Sequence, residues 1–152
     1  MMKILAPTRG GPASSVNQDR AISIAKERTA ELFFLYITDI SLLDQHASSL
    51  MFELEDELEE LGGFVLAMAQ ERASMQGVEA QAIVRRGHFG DVLEAVIAEL
   101  GIDCLILGSP EQDTGITTFD FLRQIAGKLG ETHQIETLVI HKGEVVYQHG
   151  PD

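Results

Sequence analysis

The sequence predicts a single-domain α/β fold, a mainly parallel sheet held between two helical layers as a three-layer α/β/α sandwich. Three observations predict it. Five short apolar runs alternate with four stretches of helical periodicity, the order expected where each parallel strand returns through a right-handed helical crossover. The run Leu32 to Ile37 (LFFLYI) is apolar at every position rather than every second one, as in a central strand covered on both faces. A chain of 152 residues with 45% hydrophobic content can bury one sizeable core without disulfides or a structural metal.

Taken in order, Lys3 to Pro7 (KILAP) reads as a first strand, stopped by proline and followed by the turn Thr8-Arg9-Gly10-Gly11-Pro12. Ser15-Val16-Asn17-Gln18 has the capping-box pattern and predicts a helix start. Ala21, Ile24 and Ala25 give that helix its buried face, ending near Thr29. After the second strand, Ala47, Leu50, Met51, Leu54, Leu58, Leu61, Val65, Met68 and Met75 recur at steps of three and four and predict a long helix. Met51, Met68 and Met75 are read as core filling rather than a partner-binding strip, and Gly62-Gly63 predicts a kink or a break into two helices, since each glycine costs about 1 kcal/mol inside a helix. Glu53, Glu55, Asp56, Glu57, Glu59 and Glu60 crowd the other face, read as solvated or, in the functional alternative, as an acidic docking surface.

Val78 to Arg85 alternates enough to be a strand nearer the sheet's edge, ended by Gly87. Asp91 to Glu94 is read as a cap for the next helix, with Val92, Leu93, Val96, Ile97 and Leu100 as its buried stripe and Gly101 as its terminator. Cys104 to Leu107 is the fourth strand, and Thr118 to about Leu129 the last long helix, stopped by Gly130. Thr137 to His141 is a fifth strand, and Glu144 to Tyr147 a candidate further strand or arm. The division read from this is a domain over 1–143 and a C-terminal tail over 144–152.

Composition narrows the partners. A net charge of −13 opposes nucleic acid and anionic membrane surfaces, which demand phosphate neutralisation. No apolar run reaches the roughly 18 to 20 residues that cross a bilayer, and no signal-peptide pattern precedes the first strand. One cysteine, Cys104, allows no internal disulfide and agrees with a cytoplasmic location. His46, His88, His133, His141 and His149 are scattered without metal-ligand spacing, so no metal is expected. Ser109 lacks the Gly-x-Ser-x-Gly elbow of a hydrolase nucleophile, and no catalytic residues are assigned.

The first strand running into Pro7-Thr8 and then Gly10, the strand Glu31 to Ile37, Arg86-Gly87-His88-Phe89-Gly90-Asp91-Val92-Leu93, Asp103 to Ser109, and Thr137 to Ile140 together resemble the universal stress protein (UspA-like) family. The likeness runs from Lys3 to about His141. It implies a five-stranded parallel sheet of order 3-2-1-4-5 (adenine nucleotide alpha hydrolase-like), often a homodimer through the last strand, and a non-enzymatic role in stress response or regulation. It also implies where a ligand would sit: at the C-terminal ends of the first and fourth strands, beside a helix N-terminus. The candidate nucleotide or small-anion cleft is therefore lined by Pro7, Thr8, Arg9, Ile37, Leu107, Gly108, Ser109, Gly115, Arg123 and Gln124.

ATP-binding members of that family carry Gly-x2-Gly-x9-Gly-[Ser/Thr] after the fourth strand, glycines that let backbone amides approach phosphate. Gly108 fits the first position, but Glu111 replaces the second glycine and Phe121-Leu122 stands where Gly-[Ser/Thr] should be. A loop two residues longer puts Arg123-Gln124 there, and taking Gly115 as the second glycine puts Ile125-Ala126 there. A carboxylate facing phosphate costs about 4 kcal/mol per charge pair at ~4 Å and an effective dielectric of about 20. The aspartate that commonly follows Pro-Thr in the family is Arg9 here, a donor only. The expectation is a degenerate ATP-binding motif and no cofactor. The alternative is an adenine-nucleotide (ATP or AMP) or small-anion-binding domain with weak or no hydrolysis, for which Arg9, Arg85, Arg86 and Arg123 would form a cationic mouth, unless they pair with acids such as Asp91, Glu111 and Asp120. An electron-transfer flavoprotein-like domain shares the architecture, but no flavin-specific feature supports it.

Overall fold

The computed structural model describes residues 1–9, 12–39, 49–110 and 118–150. Its elements are β1 (Lys3–Pro7), α1 (Pro12–Arg28), β2 (Glu31–Asp39), α2 (Ser49–Met75), β3 (Ala80–Gly87), α3 (Phe89–Leu100), β4 (Cys104–Gly108), α4 (Phe119–His133), β5 (Glu136–His141) and β6 (Glu144–His149). They form one sheet of order β3-β2-β1-β4-β5-β6. The first five strands are parallel, and β6 runs antiparallel to β5. The sheet thus has six strands where the family likeness implies five. The extra strand follows from Lys142-Gly143, whose φ angles of 52° and 81° make the left-handed two-residue turn that suits an antiparallel hairpin.

Two apolar layers cover the sheet. Ile4, Ala6, Phe34, Cys104 and Ile106 meet Ile22, Ala25, Leu66 and Ala69 on the α1–α2 side. Leu5, Phe33, Leu35, Leu105 and Leu107 meet Leu93, Val96, Leu122 and Ala126 on the α3–α4 side. Alternate residues of β1, β2 and β4 serve opposite layers, which is why those runs are apolar throughout.

Several local expectations are corrected. Helix α1 opens at Pro12, not at Ser15, since a proline suits the first helical turn, where its missing amide costs nothing. Helix α3 starts at Phe89 with His88 at its N-cap, and Asp91 lies inside the first turn. The pair Gly62-Gly63 does not break α2 into two helices: it is continuous from Ser49 to Met75. A Cβ at Gly62 would lie 2.4 Å from the Tyr36 ring, so that glycine lets the helix approach β2. The buried face of α2 is Val65, Leu66, Ala69 and Ala73, while Leu61, Met68 and Met75 are exposed, not core. Likewise Gly130 does not stop α4, which continues to His133. A Cβ there would meet His149 at 2.7 Å and the Ile135 carbonyl at 3.3 Å. Ala47, His46, Gly10, Glu111 and Gly115 lie outside the described residues, as do the side chains of Leu50, Met51 and Leu54.

Candidate functional site

The strand order turns back between β1 and β4, and the C-terminal ends of two such strands are where sheets of this kind bind ligands. Pro7 and Thr8 end one wall; Leu107, Gly108 and Ser109 end the other. Ile37 sits half-buried at the end of β2, packed against the α3–α4 layer. Thr8 carries β1's ladder one step further by donating its amide to the Leu35 carbonyl at 2.8 Å, and Ser109 does the same for β4 by donating to Ile140 at 2.8 Å.

Two neighbouring residues of α1 reach both walls. The Gln18 amide, buried, donates to the Thr8 hydroxyl, which in turn points its proton at the Arg9 carbonyl. Asn17 donates through Nδ2 to the Ser109 carbonyl at 3.3 Å and accepts at Oδ1 from the Gly143 amide at 3.1 Å. One carboxamide therefore ties the end of β4 to the β5–β6 turn. Gly108 is what allows it: a Cβ there would stand 2.9 Å from Asn17 Nδ2. The Ser109 hydroxyl, 3% exposed, lies 2.7 Å from His141 Nδ1 at the end of β5. With both backbone groups and the hydroxyl of Ser109 engaged, this corner is a closed hydrogen-bonded unit.

At the start of α4, Thr118 takes the cap position, and its hydroxyl accepts from the Phe121 amide at 3.3 Å. Arg123 and Gln124 lie on the following turn, both exposed. Arg85 and Arg86 are engaged by acids instead of standing free in a cationic mouth. Arg86 donates to Asp56 at 2.8 Å and to Glu59, and Arg85 lies 3.6 Å from Glu99. Those acids belong to α2 and α3, not to the set Asp91, Glu111 and Asp120 named from sequence. The guanidinium of Arg86 holds the Glu59 carboxyl below its ordinary range. Arg9 and Arg123 make no ion pair among the described residues.

Sequence reasoning placed the crevice but missed Asn17, Gln18 and His141. Gln18 had an apparent role as a helix cap, and His141 looked like one scattered histidine among five. Their contacts span from 10 to 126 residues of chain, and no local pattern announces them. Among the described residues no group of three histidine, cysteine or acidic side chains could hold a metal ion, and no helix is long and apolar enough to cross a membrane. An open groove of about 730 Å³ lies at the opposite, N-terminal edge of the sheet, lined by Lys26, Glu31, Gln70 and Glu79 among others.

Comparison with known proteins agrees with this architecture. The sequence model of the universal stress protein family matches residues 1–119. The Bacillus subtilis universal stress protein YxiE is 27% identical over 118 residues, 70% of this chain and 78% of its own. Universal stress protein UspA from Lactobacillus plantarum superposes with a TM-score of 0.72 at 19% identity, covering 92% of this chain and 97% of that one. A universal stress protein crystallised in complex with cAMP superposes with a TM-score of 0.65 at 21% identity, covering 93% and 97%.

Proposed function

The chain belongs to the universal stress protein family, and from that premise we propose that it is a non-catalytic stress-response or regulatory protein that does not hold ATP in the family's usual way. It works in the cytoplasm, as a homodimer, with 1–143 as the family domain and 144–152 as a C-terminal extension whose strand β6 joins the sheet and offers the dimer edge. The observation that carries the reading is the corner around Asn17. Its carboxamide occupies the ground beside Gly108, and the polar groups of Thr8 and Ser109 are spent on Gln18, Asn17 and His141. A triphosphate would have to displace those bonds and leave buried donors and acceptors unmatched, at about 1–3 kcal/mol each. The sequence adds Glu111 where a phosphate-binding glycine is wanted.

A second reading has its own support. Arg9 and Arg123 are exposed cations without ion-pair partners among the described residues, and one relative of this fold was crystallised with cAMP. In that reading the cleft takes an adenine nucleotide or other small anion at Pro7, Thr8, Arg9, Ile37, Leu107, Gly108, Ser109, Gly115, Arg123 and Gln124, without hydrolysis. Isothermal titration calorimetry with ATP, AMP and cAMP separates the two. The leading reading expects no ATP heat in the micromolar range. Micromolar ATP affinity that Arg123→Ala abolishes would replace it with the second.

A further inference from the structure

Helix α2 carries a second apolar strip that the core does not use. Leu61, Phe64, Met68 and Met75 are 53%, 70%, 60% and 81% exposed, on the side of the helix away from Val65, Leu66, Ala69 and Ala73. Their spacing of three, four and seven places them on one side of the helix, with Glu71 and Arg72 between Met68 and Met75. Isolated exposed apolar residues are ordinary, but a strip built around a phenylalanine in mid-helix marks an interaction surface. One flank of it is negative, and Arg72 lies on the other. Glu57, Glu60 and Glu71 are exposed beside it, and none makes an ion pair among the described residues. The cations nearby are already engaged: Arg72 faces Asp19 of α1 at 3.7 Å, and Arg86 holds Asp56 and Glu59.

We propose that this strip docks a basic amphipathic helix from a partner protein, its apolar side chains over Leu61, Phe64, Met68 and Met75 and its lysines or arginines against Glu57, Glu60 and Glu71. Charge decides the occupant. A second copy of this chain packed by the same strip would bring the same three carboxylates, with its Arg72 already facing Asp19, whereas a basic helix is complementary to the acidic flank. The strip supplies apolar contact area, and the acids supply orientation and encounter rate.

The test uses the full chain and a fluorescent synthetic helix of leucines and lysines at heptad spacing, with a counterpart in which every lysine is glutamate. Anisotropy titration is expected to give saturable one-to-one binding for the basic helix and none for the acidic one. Phe64→Ser should weaken binding at least about tenfold, the weight of one interface anchor of ~1.4 kcal/mol. The combined Glu57→Gln, Glu60→Gln, Glu71→Gln variant should bind more weakly and lose its salt dependence, since at about 1 M salt the screening length is only about 3 Å. Both variants change exposed side chains only, and unchanged circular dichroism shows that the fold is kept. Binding that ignores Phe64→Ser would reduce the effect to net charge and overturn the proposal. So would absence of saturable binding, or a peptide-free dimer that Phe64→Ser dissolves, which would assign the strip to a second copy.

Discussion

Glu136 at the start of β5 receives both guanidinium nitrogens of Arg28, and Gln148 of β6 donates to the same carboxylate at 3.0 Å. The hydrogen bond from Arg28 is the chief cause that holds the Glu136 carboxyl below its ordinary range, against the opposing pull of partial burial. The neighbouring Cys104 thiol is pushed up to about 12, by burial first and by the Glu136 charge second, so it is a small core hydrophobe rather than a nucleophile. A depressed carboxyl pKa means that the unfolded chain binds the proton more readily than the folded one. The stabilisation is therefore complete above about pH 4.3, the unfolded value, and disappears as pH falls through the lower folded value. Glu136→Gln is expected to be less stable than the parent at neutral pH, with the gap closing on acidification below about pH 4. Urea denaturation across that range measures it; a gap that stays constant down to about pH 3 would mean that the ion pair contributes nothing.

At the scale of elements, α2 shows how the same residue type takes opposite roles one position apart. Gly62 lies against the Tyr36 ring with no room for a methyl, while Gly63 has nothing within 4 Å of where its Cβ would stand. Gly63→Ala should stabilise the protein by ~0.5–1 kcal/mol, because only the helix-propensity gain operates. Gly62→Ala gains the same propensity but must move an aromatic ring in a packed layer, and should destabilise by ~1–3 kcal/mol. Chemical denaturation of the two variants reads both signs, and equal shifts would show that the close approach to Tyr36 is not constraining. That this pair does not split its helix, and that Gly130 does not stop α4, has one cause. A glycine that a helix needs for close packing looks, in sequence, like a glycine that ends one.

At the scale of the molecule, β6 covers the edge of β5 and becomes the sheet's outer strand, with Val145 and Val146 exposed. Its register against β5 slips between Val139 and Ile140, an irregularity that bends the edge. A homodimer joined through this last strand would pair backbone groups that an edge otherwise leaves open. Size-exclusion chromatography with light scattering at micromolar concentration is expected to give twice the chain's mass. The dimer should tighten as salt rises, because each copy carries a net charge of −13. A strict monomer would remove the dimer and leave the tail as edge protection alone. Much of this scale was legible in advance. The fully apolar run Leu32 to Ile37 told of a covered central strand, and β3 read as nearer the edge because its residues alternate. Only the hairpin turn at Lys142-Gly143 was passed over, an X-Gly signal between two short apolar runs.

The sequence by itself determined the order of strands and helices along the chain and the three layers, because burial periodicity and turn chemistry are local and repeat within a few residues. The tertiary structure alone decided which side of α2 faces the sheet and what fills the crevice. Helix and sheet meet closely, so Gly62, Ala69 and Ala73 went inward and the larger Phe64, Met68 and Met75 outward, against a reading based on hydrophobicity alone. The bonds of Asn17 to Ser109 and Gly143 join residues 92 and 126 positions apart, and such partners exist only once the chain has folded.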